Sequence, residues 1–337
     1  MSDSSDNLTP PSGPVEIVPR TGDELSIPQY RWMQPPVVFL PPMPPRRKFQ
    51  HRYRTHIILF LLTLITTTIV GADNYAGAQG GEGFGSLAYW ARGLWYSIPA
   101  LVILSCHEFG HYIFCRIYNV DATLPYYLPA PPFFLSGTFG AVIRIREPFP
   151  SKRALFDIGI AGPIGGFLAL VPLLYLGVAM SHLATFPPNT DLIEFGEPLL
   201  IKAMIWLKFG ARPAGMDVVL HPLGFAAWLG MLVTALNLLP FGQLDGGHIM
   251  YAVLGKRAAR VSIATIGVTA LLTLHSASWL VTTLMLLAMA YFLGFRHPRI
   301  IDEDAPLDNR RKLLALFALF MFIVCFTPVP IDMVIAK

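Results

Sequence analysis

Charged residues are scarce in this chain. Asp, Glu, Lys and Arg make up only 14% of its 337 residues, whereas 54% are hydrophobic; an ordinary soluble domain is about 25% charged. A soluble globular protein needs charged side chains to cover its surface, so the composition argues against that class. An intrinsically disordered chain is excluded as well, because it requires low hydrophobicity and high net charge. The composition therefore predicts a membrane protein with several spans.

Cysteines and targeting signals are also few. The three cysteines, Cys106, Cys115 and Cys325, are too few for a disulfide framework and lie in apolar runs. We interpret them as small core residues. The N-terminus lacks the basic, apolar and small-residue pattern of a cleavable signal peptide, so we expect the first span to act as the insertion signal.

Residues 1–54 differ from the rest of the chain because they are rich in proline. Prolines come in pairs at 35–36, 41–42 and 44–45, and a basic cluster follows at 46–54. Proline disfavours both helix and sheet, so we predict no regular structure here. The sequence thus predicts a disordered, proline-rich cytoplasmic tail at 1–54, followed by a membrane domain at 55–337.

Apolar stretches long enough to cross a bilayer alternate with polar segments after residue 54. These stretches cover residues 55–72, 93–117, 154–180, 218–244, 261–295 and 313–331. The fifth is long enough for two short helices joined by a turn near His275. We therefore predict an all-α polytopic membrane protein with about seven transmembrane helices. Basic residues concentrate on one side at each alternation, which places the N-terminus in the cytoplasm by the positive-inside rule.

The segment between the second and third spans is not an ordinary loop. Residues 124–135 are apolar but interrupted by prolines, so they cannot form a spanning helix. Residues 138–146 end in an apolar and basic alternation that is typical of a strand. We predict a short membrane-associated β-hairpin or strand here, with an apolar loop packed on the helices as the alternative.

The second span carries the sequence His107-Glu108-Phe109-Gly110-His111. Two histidines four positions apart face the same side of a helix and can bind one zinc ion. Glu108 is placed to hold an attacking water and to take its proton. Ionisable groups inside a membrane helix are expensive to bury, which favours a functional site over a structural polar cluster.

A catalytic zinc site usually has a third protein ligand. Asp245 is the strongest candidate, because Pro240 and Gly242 break the end of the fourth span and allow a carboxylate to turn inward. His248 is a rival ligand, although packing or hydrogen bonding behind the ligands is the favoured interpretation. We interpret Asp157, near the start of the third span, as a helix cap.

Two motifs together resemble the site-2 protease family of intramembrane zinc metalloproteases. One is the His107–His111 motif, and the other is Leu244-Asp245-Gly246-Gly247 in a later apolar span. The stretch at 157–166, rich in glycine and containing Pro163, is similar to the core helix of that family. The resemblance covers about residues 93–260 and implies a three-helix catalytic core there.

The resemblance also implies roles for individual residues. His107, His111 and Asp245 match the family's ligands of one Zn²⁺ ion, and Glu108 matches its catalytic glutamate. Asn237 matches an asparagine that holds the substrate backbone or the oxyanion, which implies a catalytic role here.

The family cleaves membrane-spanning proteins within or beside the membrane. The resemblance therefore implies regulated intramembrane proteolysis, with membrane proteins or signal-peptide remnants as substrates, the lipid bilayer as surroundings and no nucleic acid partner. It also implies a bacterial plasma (inner) membrane as the location. Segments 73–92 and 181–217 are too short for the PDZ domain of some members. From the residues alone, a non-catalytic membrane metal-binding or transport protein, or a scaffold that binds helices without cutting them, remains an alternative.

Overall fold

A computed structural model describes residues 48–79, 83–185, 192–294, 300–303 and 306–334, and the backbone of residues 15–16 and 31–32. The chain divides into two units, Met1–Arg47 and Lys48–Lys337. The second unit begins before residue 54, where we predicted the tail to end.

In the first unit, strand β1 (Val15–Glu16) pairs antiparallel with strand β2 (Arg31–Trp32). The prediction that proline excludes sheet throughout this region is wrong at these positions, because neither strand contains a proline. The predicted disorder of the tail falls mainly outside the described residues and stays a prediction.

Helices dominate the described residues of the second unit. They are α1 (Tyr53–Gln79), α2 (Leu87–Ile117), α3 (Lys152–Met180), α4 (Leu199–Phe209), α5 (Pro222–Asn237), α6 (Asp245–Leu254), α7 (Ala258–His275), α8 (Trp279–Leu293) and α9 (Asn309–Cys325).

Four helical stretches among the described residues are long and apolar enough to span a membrane. They are Tyr53–Asn74, Leu87–Ile117, Lys152–Met180 and Asp245–His275, while α5 and α8 are shorter apolar helices. The protein is thus predominantly helical and suited to a membrane, as predicted, whereas the count of about seven spans is not confirmed.

The helix of the fourth predicted span ends early, and the fifth predicted span is interrupted. Helix α5 ends at Asn237 and α6 begins at Asp245, because Pro240 cannot donate a helical hydrogen bond and Gly242 adopts a φ of 46°. The fifth stretch forms α7 and α8, separated at residues 276–278, where a turn was predicted.

Between α2 and α3 lies the predicted hairpin. Strand β3 (Tyr126–Pro129) pairs antiparallel with β4 (Thr138–Val142). Strand β4 is shorter than the predicted 138–146, because after Val142 the chain turns away and only Ile145 makes an isolated bridge, with Ala122.

Three further strand pairs occur in the described residues. They are β5 (Phe149–Ser151) with β9 (Ile300–Asp302), β6 (His182–Thr185) with β8 (Met216–Val219), and β7 (Leu192–Phe195) with β10 (Ile331–Val334). The first pair is parallel and the other two are antiparallel.

Helices α2, α3 and α5 pack against one another at the centre of the second unit. Glycines allow the backbones of α2 and α3 to approach closely, as small residues do in membrane helix pairs. A β-carbon at Gly110 would lie 2.4 Å from the carbonyl oxygen of Ala161, and one at Gly165 would lie 2.4 Å from that of Cys106. This close contact brings the histidines of α2 against the backbone of α3.

Two predictions about single residues are wrong. Cys106 is exposed, unlike Cys115 and Cys325, because His107 and Glu108 occupy the buried face of α2 at this level. Asp157 does not cap α3, because the helix begins at Lys152 and Ser151 is its cap. Asp157 instead lies inside the helix as part of an ion pair.

Candidate metal centre

His107 and His111 of α2 meet Asp245 at the first position of α6. The Nε2 atom of His107 lies 3.1 Å from Oδ2 of Asp245, and the Nε2 atom of His111 lies 3.3 Å from Oδ1. The two Nε2 atoms are 3.2 Å apart. Both histidines are buried, and Asp245 is nearly so. Among the described residues, these three form a group able to hold a metal ion.

The chain between α5 and α6 brings Asp245 to this position. It folds so tightly over the first turn of α6 that a β-carbon at Gly246 would lie 2.1 Å from the carbonyl oxygen of Leu238. One at Gly247 would lie 2.3 Å from the carbonyl oxygen of Gly242. Asp245 is the first residue of α6. At a helix N-terminus, a negative charge is stabilised by the helix dipole.

Helix α3 fixes the orientation of His111. The Nδ1 atom of His111 lies 2.7 Å from the backbone carbonyl oxygen of Ile158. A carbonyl only accepts, so Nδ1 carries the proton and donates, and in the neutral ring Nε2 keeps its lone pair. That lone pair points towards His107 and Asp245.

A zinc ion fits this arrangement. The Nε2 atoms of two imidazoles and the carboxylate of Asp245 converge on one point, where all three could bind a single cation. Zinc bound tetrahedrally at about 2.0–2.1 Å separates its ligand atoms by roughly 3.3 Å. The observed separations of 3.1, 3.2 and 3.3 Å agree with that value. Two histidines and one carboxylate are also a common ligand set of catalytic zinc.

Glu108 and Asn237 lie beside the three ligands. Glu108 is buried, and the backbone N–H of Ile143 lies against its carboxylate. The side-chain amide Nδ2 of Asn237, at the end of α5, is 3.4 Å from Nε2 of His107. The structure thus brings all five predicted site residues to one place, and their chemical roles stay predictions.

His248 lies outside the metal-binding group. Its Cβ packs on Gly159, where an added β-carbon would approach it to 2.9 Å, and its ring centroid is 5.9 Å from that of Phe149. This position agrees with the favoured interpretation of His248 as a packing residue.

Sequence reasoning missed the contribution of α3 to the site. The carbonyl of Ile158 leaves no signature in a sequence, because every residue has one. Gly162 was detectable, since it lies in the glycine-rich stretch at 157–166. A β-carbon at that position would lie 2.0 Å from Nε2 of His111, so the absence of a side chain makes room for the imidazole.

Comparisons with known proteins point to one family. Residues 95–275, more than half of the chain, match Peptidase family M50. "Probable zinc metalloprotease EGY2, chloroplastic" of Arabidopsis thaliana is 27% identical over 254 residues, which cover 73% of this chain and 44% of that protein. "Probable zinc metalloprotease EGY1, chloroplastic" of Oryza sativa subsp. japonica is 33% identical over 164 residues, which cover 47% of this chain and 28% of that protein.

The chain spans less than half the length of these curated relatives. No solved structure matches it. The family match covers α3, α5 and α6 together with His107, His111 and Asp245, and it confirms the predicted resemblance to site-2 proteases. The chain belongs to peptidase family M50.

Proposed function

We propose that this chain is a zinc-dependent intramembrane endopeptidase that hydrolyses peptide bonds of membrane-spanning proteins. The observation that carries the proposal is the buried group of His107, His111 and Asp245 with Glu108 beside it, set among helices long enough to span a bilayer. Membership in a peptidase family supports hydrolysis over the alternative of metal transport. The names of the relatives support zinc as the metal.

Each site residue has a distinct part in the proposed reaction. His107, His111 and Asp245 would hold one zinc ion, which when bound would lower the pKa of water and polarise the scissile carbonyl. Glu108 takes the proton of the attacking water and delivers it to the leaving amine, so the C–N bond breaks as a C–O bond forms. The amide of Asn237 donates to the substrate carbonyl oxygen, where negative charge develops.

A transmembrane substrate has to be extended at the cleaved bond, because the hydrogen-bonded turns of a helix shield its peptide groups. We infer that strand β4 receives the substrate as an added strand. Within the described residues, β4 pairs on one side only, with β3. The chain runs from β4 directly to Ile143, whose N–H lies against Glu108, so a strand added there passes close to the catalytic carboxylate.

The membrane arrangement is part of the proposal. We infer about seven spans, with the N-terminus in the cytoplasm, from the distribution of basic residues. Membrane proteins and signal-peptide remnants are the proposed substrates, and regulated intramembrane proteolysis is the proposed process. The bacterial plasma membrane stays an expectation without support from the relatives, whose names place them in chloroplasts.

The decisive experiment compares the wild-type protein with Glu108→Gln in lipid vesicles that contain a single-span substrate. We expect Glu108→Gln to keep its zinc and its fold and to lose cleavage by a factor of about 10² or more, because only the base is removed. Glu194→Gln on β7 is the matched control and should cleave normally. Wild-type turnover by Glu108→Gln would overturn the role of Glu108 as the base and, with it, the proposed reaction at this site. Zinc binding by the wild type without any chelator-sensitive cleavage would overturn the protease proposal and favour a catalytically silent metal-binding protein.

A further inference from the structure

A partly buried ion pair joins α3 to α9. The guanidinium of Arg311 donates from Nε to Oδ1 of Asp157 at 2.8 Å and from Nη2 to Oδ2 at 2.6 Å. The hydroxyl of Tyr118, just after the end of α2, donates to the same carboxylate. Burial and the neighbouring Asp157 carboxylate raise the pKa of Tyr118, which keeps its phenol protonated as a donor. Three helices therefore meet at one carboxylate.

Arg311 is itself fastened at the start of α9. Asp308 caps that helix, accepting from the backbone N–H of Arg311 at 2.9 Å, and its carboxylate also pairs with the guanidinium. The two-pronged contact of Arg311 with Asp157 fixes orientation as well as distance, which a lysine ammonium cannot do. Arg311 lies beyond residues 95–275, so this contact comes from outside the part of the chain that matches the family.

The ion pair is adjacent in the chain to the backbone carbonyl that holds His111. Asp157 precedes Ile158, whose carbonyl holds Nδ1 of His111 at 2.7 Å. One turn further along α3, Gly162 contacts the same imidazole. A small rotation or slide of α3 would therefore move both the partner of His111 and the space that its ring occupies.

Stability alone does not account for this arrangement. Even a partly buried ion pair contributes little net stability, because the cost of removing two charges from water offsets much of their attraction. Such a pair is better suited to selecting one register of two packed helices. Groups that hydrogen-bond to a metal-ligating histidine are known to tune how tightly the metal is held.

We propose that Asp157 and Arg311 are positioning residues that hold α3 in the register at which Ile158 orients His111 for metal binding. The inference rests on the proposed function, since it presumes that His107, His111 and Asp245 bind zinc. It adds that α9, outside the matched segment, helps to set the affinity and the ligand geometry of the centre.

The test measures metal binding by the purified full chain. Zinc affinity is measured by competition with a chelator, and Co²⁺ in place of zinc reports ligand geometry through its visible spectrum. We expect Asp157→Asn and Arg311→Gln each to weaken zinc binding by about tenfold and to shift the cobalt spectrum. Tenfold is about the smallest loss of metal affinity that is typical when a group behind a metal ligand is mutated. Arg311→Lys keeps the positive charge but loses the two-pronged contact with Asp157. Its zinc affinity should therefore lie between those of Arg311→Gln and the wild type.

Arg212→Gln is the matched control. Arg212 also bridges two carboxylates, Glu197 at 2.8 Å and Asp217 at 2.7 Å, but it does so away from the metal centre. It should leave zinc affinity and the cobalt spectrum unchanged. Asp308→Asn removes one partner of Arg311 without touching Asp157, and it should have a smaller effect than Asp157→Asn.

The results separate this inference from the proposed function. If the wild type binds zinc and cleaves substrate while folded Arg311→Gln matches Arg212→Gln in affinity and spectrum, the positioning inference fails alone. If Arg311→Gln does not fold, the cobalt spectrum of Arg311→Lys is measured instead. A spectrum of Arg311→Lys identical to that of the wild type would assign the ion pair a purely structural role and overturn the positioning inference. If the wild type binds no zinc, the proposed function fails first.

Discussion

The imidazole of His111 occupies the space that a β-carbon would take at position 162. That hypothetical atom would lie 2.0 Å from Nε2 and 2.4 Å from Cε1 of the ring. Helix α3 therefore acts as a wall of the metal centre, and a single methyl group on that wall displaces a ligand.

Gly162→Ala should accordingly impair metal binding. The added methyl has to push the imidazole away from Ile158 and Asp245, so we expect at least about a tenfold loss of zinc affinity, as for groups that orient ligands. Chelator competition measures it. Gly267→Ala in α7 is the control, because a β-carbon there meets nothing within 4 Å. That variant should bind zinc normally and gain up to about 1 kcal/mol of stability from the better helix former. Equal zinc affinity in the two variants would contradict the role of Gly162.

His107→Ala and Asp245→Ala should lose the metal, because two protein ligands are too few for a stable zinc site. Removal of zinc from the wild type should also lower its melting temperature, since an ion held by His107, His111 and Asp245 would join α2 to α6. A ligand present at 100 times its Kd stabilises the folded state by about 2.7 kcal/mol. Thermal unfolding with and without a chelator measures the effect. A chelator should change nothing in Asp245→Ala, and a similar shift in that variant would place the metal elsewhere.

The hairpin should matter for cleavage and not for zinc. We expect Ile143→Pro or Ile145→Asp to reduce cleavage of a membrane substrate, because each disturbs the chain that leads from β4 to Glu108. Bound zinc, measured by elemental analysis, should stay at the wild-type level. Phe133→Pro, in the exposed turn between β3 and β4, is the control. Unchanged cleavage by the Ile143 and Ile145 variants would remove the support for substrate addition at β4.

The contact between Lys48 and Glu147 should depend on pH. Lys48 Nζ lies 2.8 Å from the carboxylate, and together with the Asp121 N–H it lowers the pKa of Glu147. A lowered carboxyl pKa means that its stabilisation is present at neutral pH and is lost as pH falls through that lowered value. Because the pair is about one-third exposed, Glu147→Gln should cost no more than about 1 kcal/mol at pH 7. The melting temperatures of the wild type and Glu147→Gln should converge as the pH falls. A difference in melting temperature that stays constant with pH would exclude this ion pair as the source of the difference.

The site was more predictable than the architecture. His107, Glu108, His111 and Asp245 could be found from sequence because intramembrane ionisable groups are rare and the spacing of the histidines suits one helix face. The break around Pro240 was also visible, since proline and glycine act locally.

Contacts between distant segments could not be predicted in the same way. The position of Asp157 near a helix start predicts a cap, and nothing local connects Asp157 with Arg311, which is 154 positions away. The carbonyl of Ile158 and the two-residue strands β1 and β2 likewise depend on which segments meet, and residue type alone does not encode that.

The chain just before α1 also sets a boundary for protein engineering. Phe49 donates its backbone N–H to Asp121 at 2.6 Å, and Lys48 Nζ donates to the carbonyl oxygen of Asn119 at 2.7 Å. Both contacts fasten the loop from which the hairpin emerges. A fluorescent protein or affinity handle joined just before Lys48 would keep both contacts, whereas a fusion junction moved to Tyr53 would remove them and release that loop.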